Sequence, residues 1–299
     1  MPRHIKNLEF RARVIAAIRH FFSLDGFIEV ETPVRVPAPA PEPHINALPS
    51  DGWFLQTSPE LYMKRLLAGG HERIFQVCRC FRQAERGQRH LPEFTLLEWY
   101  AAGWDYTRLM EQCEEMIRFI CREVLGEEKF LYNGKEISIK PGWPRIGVAD
   151  AFLRFAKKDV KDALADGSYD EVMAFDIEPA LVAPSFLCDY PLAKAALARL
   201  SATKSGVAER FELYIGGLEL CNGFSELTDV AEQTRRFKDE LIRREAAGEP
   251  VYPLPDKFLS ALELMPDAAG CALGVDRLVM LLYGADRIDD VVAFVPEEY

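Results

Sequence analysis

The chain contains 299 residues, of which 49% are hydrophobic and 28% are charged, and this length supports one large domain or two small ones around a substantial core. The charged N-terminal segment and the lack of a long apolar run indicate neither a signal peptide nor a membrane span, so we expect a cytoplasmic protein. The formal net charge of −11 argues against a protein whose main task is to grip a nucleic-acid backbone, and it favours a cationic substrate or partner.

The first predicted elements are a helix, a strand and an extended loop. Apolar residues recur at helical spacing over residues 8–24, and Gly26 is placed to end that helix. The segment FIEVETP predicts a strand that Pro33 stops. Alternating prolines between residues 37 and 43 favour an extended loop and forbid a helix.

The next elements centre on a long hairpin. A short strand and a helix are predicted within residues 52–70, with Ser58 as the N-cap and Pro59 at the first helical position. The strands RIFQVCRCFRQ and EFTLLEWYAAG then flank a charged segment, and together they predict a hairpin. A helix follows over residues 105–125, and the Asn-Gly pair at 133–134 predicts a second, tighter hairpin.

The second half of the chain returns to strands after a mixed stretch at 148–200. The segment ERFELYIGGLELCNGFSEL predicts two strands joined at Gly216-Gly217, and helices are predicted at 229–247 and 256–265. The last segment, GCALGVDRLVMLLYG, is typical of a glycine-rich strand end that enters a helix. Helices interspersed with antiparallel hairpins predict an α+β fold, in which helices flank an antiparallel sheet within a single domain, 1–299.

The seven cysteines are scattered and odd in number. The Cys78-x-Cys80 pair lacks the two-residue gap of a zinc knuckle, and no second pair accompanies it. We therefore predict reduced, mostly buried thiols.

The tip of the long hairpin concentrates groups that bind phosphate. Arg82 lies near the end of the inbound strand, Arg86, Arg89 and His90 lie in the tip, and Phe94 opens the outbound strand. Guanidinium groups bind phosphate through two parallel hydrogen bonds, and an aromatic face can stack a base. The alternative is a solvated hairpin tip with ordinary ion pairs.

Three carboxylates recur at seven-residue spacing around the Gly216-Gly217 turn. The turn can bring Glu212 and Glu219 together across a hairpin, and convergent carboxylates are suited to Mg²⁺ that carries nucleotide phosphates. Asn222, Phe224 and Glu226 share one face of the second strand and could hold a basic amino acid. The alternative is an exposed acidic strand face.

Taken together, these segments resemble the three signature motifs of class II aminoacyl-tRNA synthetases. Motif 1 corresponds to the first helix and strand, motif 2 to FRQAERGQRHLPEF and motif 3 to GVDRLVML. The segments TSPELYMKRLL and FELYIGGLELCNGFSEL are similar to those of the lysyl branch, and the resemblance covers nearly the whole chain. It implies a synthetase-like catalytic domain that forms an aminoacyl-adenylate from ATP.

The chain differs from lysyl-tRNA synthetases in two features, and in both it is similar to one subfamily of that branch. No anticodon-binding OB-fold is expected, because the chain starts at motif 1, and Ala272 stands where the synthetases have glycine. Both features are similar to the elongation factor P–(R)-β-lysine ligases, a family of truncated lysyl-tRNA synthetase paralogues. The resemblance implies a ligase that activates (R)-β-lysine or lysine with ATP and Mg²⁺ and transfers it to a lysine of elongation factor P, with no tRNA and no membrane. It also implies a homodimer through motif 1, with Phe10, Val14, Ile18 and Phe21 as the apolar face.

The resemblance assigns a role to individual residues of this chain. The catalytic pair is Arg82 and Arg277. The ATP site consists of Arg82, Gln83, Ala84, His90, Leu91, Phe94, Glu219, Leu220, Gly274 and Arg277. The amino-acid site consists of Ser58, Pro59, Glu60, Tyr100, Asn222, Phe224 and Glu226, and the metal site of Glu212 and Glu219.

Motif 2 departs from the family pattern at two positions. Ala84 stands where the family carries a glutamate for the adenine amino group, and Leu91 stands where asparagine is usual. Glu85 could replace the missing carboxylate only if the loop shifts. Three other hypotheses stay open: a lysyl-tRNA synthetase catalytic fragment, a non-catalytic regulator that binds a nucleotide or amino acid, and an amidating enzyme such as an asparagine synthetase of this fold.

Overall fold

The computed structural model describes residues 5–298. Its α-helices are α1 Ile5–Leu24, α2 Glu60–Ala68, α3 Tyr106–Leu125, α4 Val148–Ala151, α5 Val160–Ala165, α6 Tyr169–Val172, α7 Val230–Ala247, α8 Asp256–Leu262 and α9 Val275–Tyr283. Its strands are β1 Ile28–Glu29, β2 Arg35–Val36, β3 Pro49–Ser50, β4 Trp53–Leu55, β5 Arg73–Phe81, β6 Glu93–Ala102, β7 Lys129–Tyr132, β8 Lys135–Ser138, β9 Arg145–Gly147, β10 Ser185–Pro191, β11 Val207–Ile215, β12 Leu218–Ser225 and β13 Ala268–Gly274.

An eight-stranded sheet forms the centre of the fold, in the order β1-β5-β6-β13-β12-β11-β10-β9. The inner pairs are antiparallel, and the two outermost pairs, β1 with β5 and β9 with β10, are parallel. Helices α1, α3 and α9 cover one face of this sheet. The prediction of an α+β fold built on an antiparallel sheet is confirmed.

Both long hairpins form where the sequence predicts them, because alternation and turn residues are local signals. In β5–β6 the register pairs Cys80 with Phe94 and Ile74 with Tyr100. In β11–β12 the turn is made by Gly216 (φ 68°) and Gly217 (φ 72°), which occupy the left-handed region that glycine enters without strain. The two hairpins lie on either side of β13 and together form the centre of the sheet.

Helix α1 packs its apolar face into its own chain. Val14, Ile18 and Phe22 are fully buried, and the Phe22 ring stacks on that of Phe75 at 4.7 Å. Phe10 and Phe21 pack against the same core. Val14 and Ile18 are therefore packed into the chain's own core, Phe10 and Phe21 are only partly buried, and a dimer interface through motif 1 stays a prediction. The amphipathic pattern correctly predicts that the face is buried, but it cannot tell an intramolecular neighbour from a partner subunit.

Several predicted boundaries differ from those of the structure. The strand predicted in FIEVETP pairs over only two residues, Ile28–Glu29, as the edge of the sheet. Helix α2 begins at Glu60, so Pro59 precedes it, and Ser58 accepts a hydrogen bond from the Glu60 backbone N–H at 3.0 Å. The mixed stretch at 148–200 contains two π-helical turns, Phe152–Ala156 and Met173–Ile177, which hydrophobic periodicity does not reveal.

The cysteines are free thiols, and all but the half-buried Cys78 are buried, so the prediction of reduced, mostly buried thiols is confirmed. Cys113 packs against Cys221 and Cys271, with Sγ–Sγ distances of 4.0 and 3.9 Å. These thiols belong to the core between α3 and the sheet. Over residues 5–298, no helix is both long enough and apolar enough to cross a membrane.

Candidate active site

A cavity of about 550 Å³ lies on the sheet face opposite α1 and α3. Strand alternation builds its floor, because Phe94, Leu96, Glu98 and Tyr100 point to it while Leu97 and Trp99 enter the core. The floor continues across β13 at Gly270. A Cβ at this glycine would lie 2.2 Å from the Tyr100 ring, so a side chain there would displace the tyrosine.

Most of the residues assigned from the sequence meet in this cavity. Those that line it are Ser58, Glu60, Arg82, His90, Leu91, Phe94, Tyr100, Glu212, Glu219, Leu220, Asn222, Phe224, Gly274 and Arg277. Four do not line it, namely Pro59, Gln83, Ala84 and Glu226. Their placement beside the lining does not test their roles, which stay predictions.

One half of the cavity contains the guanidinium groups of Arg82, Arg89 and Arg277, which are suited to phosphate groups. Arg277 donates to the backbone carbonyl of Glu219 at 2.9 Å and to its carboxylate at 3.3 Å, and it contacts the His90 ring. Burial and the charge of Arg277 lower the pKa of His90, so this ring is neutral near pH 7 and can still accept or donate one hydrogen bond. Arg89 also lines this half.

Arg82 has the freest guanidinium among the residues assigned to the ATP site. Its Nε is buried and has no hydrogen-bond partner in the part of the chain that the structure describes. Its ion pair with Glu85 is long, at 3.6 Å, and its guanidinium lies 5.0 Å from the centre of the Phe94 ring. The ring therefore orients Arg82, and the side chain keeps donors available for an anion in the cavity.

The loop between β5 and β6 adopts a left-handed backbone conformation at Ala84, where the resemblance implies an adenine-binding glutamate. Ala84 adopts φ 63°, a left-handed conformation that is uncommon for a residue with a Cβ, and it does not line the cavity. The neighbouring Glu85 does line it. The carboxylate that this loop offers to the cavity therefore comes from Glu85.

Glu212 and Glu219 lie close enough to interact electrostatically. Burial raises the pKa of Glu212, the charge of Glu219 adds to this effect, and Arg210 opposes it. Glu212 accepts hydrogen bonds from Arg210 and Tyr214, both at 2.6 Å, which leaves one lone pair free on each oxygen. Hard carboxylate oxygens in this number fit Mg²⁺, which usually takes one or two carboxylates together with phosphates and waters.

The other half of the cavity is anionic and contains a buried ion-pair cluster. Lys64 is almost fully buried and lies 2.5 Å from carboxylate oxygens of both Glu60 and Glu226. Burial alone would lower the pKa of Lys64, but the two carboxylates outweigh burial and raise it. Lys64 is therefore charged, and Glu226 lies behind the lining as its partner. Sequence reasoning missed Lys64, although it stands four residues after Glu60 on one helix face.

Glu98 is the most important lining residue that sequence reasoning missed. It accepts a hydrogen bond on each oxygen, from Ser58 at 2.8 Å and from Tyr100 at 2.6 Å, so its carboxylate is firmly oriented. Burial raises the pKa of Glu98 well above its usual value, and the charge of Glu60 adds to the effect. Strand alternation from Phe94 and Tyr100 could have placed Glu98 on the cavity face.

The proline-rich loop lies over the anionic half and is fixed by Arg244. This fully buried side chain donates to the backbone carbonyls of Glu42 and Ile45 and, at 2.9 Å, to the Asn46 amide oxygen. The fixed loop adds the Glu42 carboxylate to the cavity. Burial, followed by the charge of Glu60, raises the pKa of Glu42 to about 7. This half therefore brings together the carboxyl groups of Glu42, Glu60, Glu98 and Glu226 with Lys64, and Arg210 and Lys194 also line the cavity.

The raised pKa of Glu42 predicts a pH-dependent response to a cationic amino acid. A group whose folded-state pKa is raised stabilises the fold below its unfolded pKa, and that contribution is lost as pH rises through about 7. A bound ammonium favours the ionised carboxylate, so we expect lysine affinity to rise by up to about tenfold per pH unit as pH approaches that value. Thermal melts at about pH 6 and about pH 8 should show a larger lysine-induced rise in Tm at the higher pH. Glu42→Gln should reduce that difference, and an equal shift at both pH values in the unaltered protein would contradict the assignment.

An antiparallel sheet flanked by helices therefore carries one cavity, with guanidinium groups at one end and buried carboxyl groups at the other. A family model for class II tRNA synthetases (D, K and N) matches residues 1–298. The chain belongs to this family.

The relatives in this family narrow the similarity to one branch. The chain is 37% identical over 322 residues to the lysine–tRNA ligase of Paraburkholderia phymatum, with 97% of this chain and 63% of that protein covered. It is 38% identical to the lysine–tRNA ligases of Magnetococcus marinus, with 95% of this chain and 62% of that protein covered, and of Moorella thermoacetica, with 95% and 64% covered. The chain thus spans 62–64% of the length of these relatives.

Proposed function

We propose that this site is the catalytic centre of an ATP-dependent ligase that activates (R)-β-lysine or lysine as an aminoacyl-adenylate. The observation that carries the proposal is the charge division of the cavity. The guanidinium groups of Arg82 and Arg277 lie in one half, and the other half is lined by the carboxyl groups of Glu42, Glu60 and Glu98, with the Lys64–Glu226 ion pair behind them. A substrate with a long cationic side chain fits the second half, and a nucleotide triphosphate fits the first.

In the proposed reaction, a carboxylate oxygen of the amino acid attacks the α-phosphorus of ATP. The bond to the β-phosphate oxygen breaks, and pyrophosphate leaves with that electron pair. No protein nucleophile takes part, so positioning and charge stabilisation supply the rate. Arg82 stabilises the charge that grows on the α-phosphate, and Arg277 and His90 bind the outer phosphates.

Glu212 and Glu219 would hold Mg²⁺, which supplies charge neutralisation for the phosphates when it is bound. The residues of the chain itself orient the two reactants. Asn222 and Phe224 line the amino-acid half, and Lys64 lies 5.2 Å from the centre of the Phe224 ring. The ring thereby packs against the Lys64 ammonium at the edge of the amino-acid half.

The second step of the proposed reaction transfers the activated acyl group to an amine. A neutral lysine amine attacks the mixed anhydride, a new amide bond forms, and AMP leaves with the electrons of the broken bond. We propose a lysine of elongation factor P as the acceptor. Ala272, which lines the cavity, stands where the synthetases have glycine, and in this feature the chain is similar to the elongation factor P ligases. The formal net charge of −11 also gives no general attraction to the phosphates of tRNA. The similarity to lysine–tRNA ligases favours tRNA as the alternative acceptor.

The test has two stages. ATP–pyrophosphate exchange across a panel of amino acids should respond to lysine and β-lysine and not to neutral analogues. Incubation with ATP, β-lysine and elongation factor P should then add the mass of one lysyl group to the factor and leave lysine tRNA uncharged. Efficient charging of tRNA, with no mass shift on elongation factor P, would assign the protein to the synthetases instead.

We also propose that the protein is a homodimer, with an interface different from the buried face of α1. Exposed apolar residues follow one another here: Leu24 (68%) ends α1, Ile28 (58%) opens the edge strand β1, and Val34 (42%) lies in the segment before β2. An edge strand with exposed apolar neighbours is suited to an isologous contact with a second copy. Light scattering at micromolar concentration should give twice the chain mass, and Ile28→Glu should shift it towards the monomer. Leu131→Glu, at another exposed strand position, should have no effect, and a monomeric unaltered protein would refute the proposal.

A further inference from the structure

One arginine fastens the tip of the β5–β6 hairpin to the C-terminal segment, residues 286–298. Arg86 donates to both carboxylate oxygens of Asp289, at 2.8 and 3.1 Å, and to both oxygens of Glu297, at 2.9 and 3.0 Å. A fifth contact runs from Arg86 to the backbone carbonyl of Gly87, at 3.1 Å. These contacts use all five N–H groups of the guanidinium, which the three donors of a lysine cannot reproduce.

The C-terminal segment also supports the hairpin tip through its backbone. The N–H of Ile288 donates to the carbonyl of Gln88 at 2.9 Å, and the buried Ile288 side chain lines the cavity. The segment is anchored to the rest of the protein, because Val291 is fully buried and Asn7 donates to the carbonyl of Asp290. The hairpin tip is therefore tied to a fixed surface.

The inner side of the tip carries groups of the phosphate half. Glu85, Arg89 and His90 flank or follow Arg86, and all three line the cavity. The backbone carbonyl of Arg89 accepts a hydrogen bond from Arg277 at 3.3 Å. A shift of the tip away from the C-terminal segment would move these groups away from the position where the triphosphate is expected.

We propose that Arg86 is a positioning residue for the nucleotide, and that its ion pairs with Asp289 and Glu297 hold the hairpin tip in place before the nucleotide binds. The inference rests on the proposed function, since it needs a nucleotide in this cavity. A loop that is ordered in advance loses less entropy on binding. Loss of the ion pairs therefore weakens nucleotide binding, and it leaves turnover of the bound nucleotide nearly unchanged, because the bound nucleotide restores the loop.

The kinetic test uses Arg86→Met, which keeps the aliphatic stem and removes every donor. The dissociation constant for ATP, measured by titration, and the KM for ATP in pyrophosphate exchange should both rise roughly tenfold. The kcat should stay within about twofold, and Arg86→Lys should recover part of the affinity. Because the ion pairs are partly exposed, added salt should narrow the difference between the two proteins. Unchanged ATP affinity in Arg86→Met would overturn the positioning role.

The matched control is Arg235→Met on α7. Arg235 also pairs with two carboxylates, those of Glu232 and Asp239, but no residue of α7 lines the cavity, whereas the neighbours of Arg86 do. We expect this variant to leave the affinity and the KM for ATP unchanged. An equal loss in both variants would mean that the effect of Arg86 is a general effect of removing a surface charge, and the inference would fail.

Hydrogen exchange tests the fastening without any catalytic assay. In the ATP-free protein, the amides of residues 83–91 should exchange faster in Arg86→Met than in the unaltered protein or in Arg235→Met, while those of α3 should not change. Unchanged protection of these amides would refute the proposal that the Arg86 ion pairs hold the hairpin tip in place, whatever the substrate is. A protein that binds ATP but supports no pyrophosphate exchange would refute the proposed function alone, because the ATP titration and hydrogen exchange would still decide the role of Arg86.

Discussion

Arg82→Ala should lower the rate of ATP–pyrophosphate exchange by roughly 10²–10³-fold, the usual loss when one donor to a developing oxyanion is removed. The guanidinium of Arg82 lies in the cavity, and its Nε is buried without a partner among the residues that the structure describes. An unpaired buried donor is costly unless an anion occupies the cavity, so the α-phosphate is its natural partner. Arg82→Lys should recover little activity, because lysine lacks the planar fork.

The control for this experiment is Arg79→Ala. Arg79 lies on β5, three residues before Arg82, and its side chain is about half exposed. Among residues 5–298 that side chain forms just one long ion pair, with Glu93 at 3.8 Å. Its loss should leave exchange nearly unchanged, because exposed ion pairs contribute little. Both variants should show the melting curve of the unaltered protein. A folded Arg82→Ala variant with near-normal exchange would remove Arg82 from the mechanism.

The sequence is sufficient for the parts of the fold that local signals determine. Alternation and turn residues predict the hairpins β5–β6 and β11–β12, and periodicity predicts α1 and α3 within a few residues. These hairpins carry the cavity floor, so most of the assigned lining residues were identified from motifs on them. The π-helical turns at Phe152–Ala156 and Met173–Ile177 were missed because their periodicity is neither that of a helix nor that of a strand.

The sequence is insufficient where a role depends on contacts between distant elements. Lys64 on α2 pairs with Glu226, which follows β12 directly, and no local pattern reports that these two distant residues meet. The buried face of α1 shows the same limit, since periodicity identifies burial and not the neighbour. From the sequence, Arg86 has no more than the features of a solvated charge at the hairpin tip. Its partner Glu297 lies 211 residues further along the chain, and only the fold brings the two together.

The amino-acid half should select a long side chain that ends in an ammonium. Norleucine matches lysine in length but offers no ammonium to the carboxyl groups of this half. The loss of one partner from a buried charge pair costs about 3–5 kcal/mol, so norleucine should fall below lysine by roughly 10²–10⁴-fold in kcat/KM for exchange. Equal values for norleucine and β-lysine would refute the assignment. Glu226→Gln should also weaken binding of the lysine substrate. Lys64 would lose one of its two carboxylate partners and would then compete with the substrate ammonium for Glu60.

Glu98→Gln should weaken the discrimination between lysine and norleucine, because Glu98 is the carboxylate that the site orients most firmly. Ser58 and Tyr100 each donate to one of its oxygens, so a glutamine there turns one acceptor into a donor and leaves one hydroxyl to reorient. The kcat/KM for lysine should fall by roughly 10²-fold while that for norleucine changes little, since only the cationic substrate needs the negative charge. Glu93→Gln is the matched control, because this glutamate opens the same strand and does not line the cavity. Within the part of the chain that the structure describes, its side chain forms just one long ion pair, with Arg79 at 3.8 Å. A parallel fall for both substrates in Glu98→Gln would indicate that Glu98 supports the fold of the pocket and does not bind the ammonium.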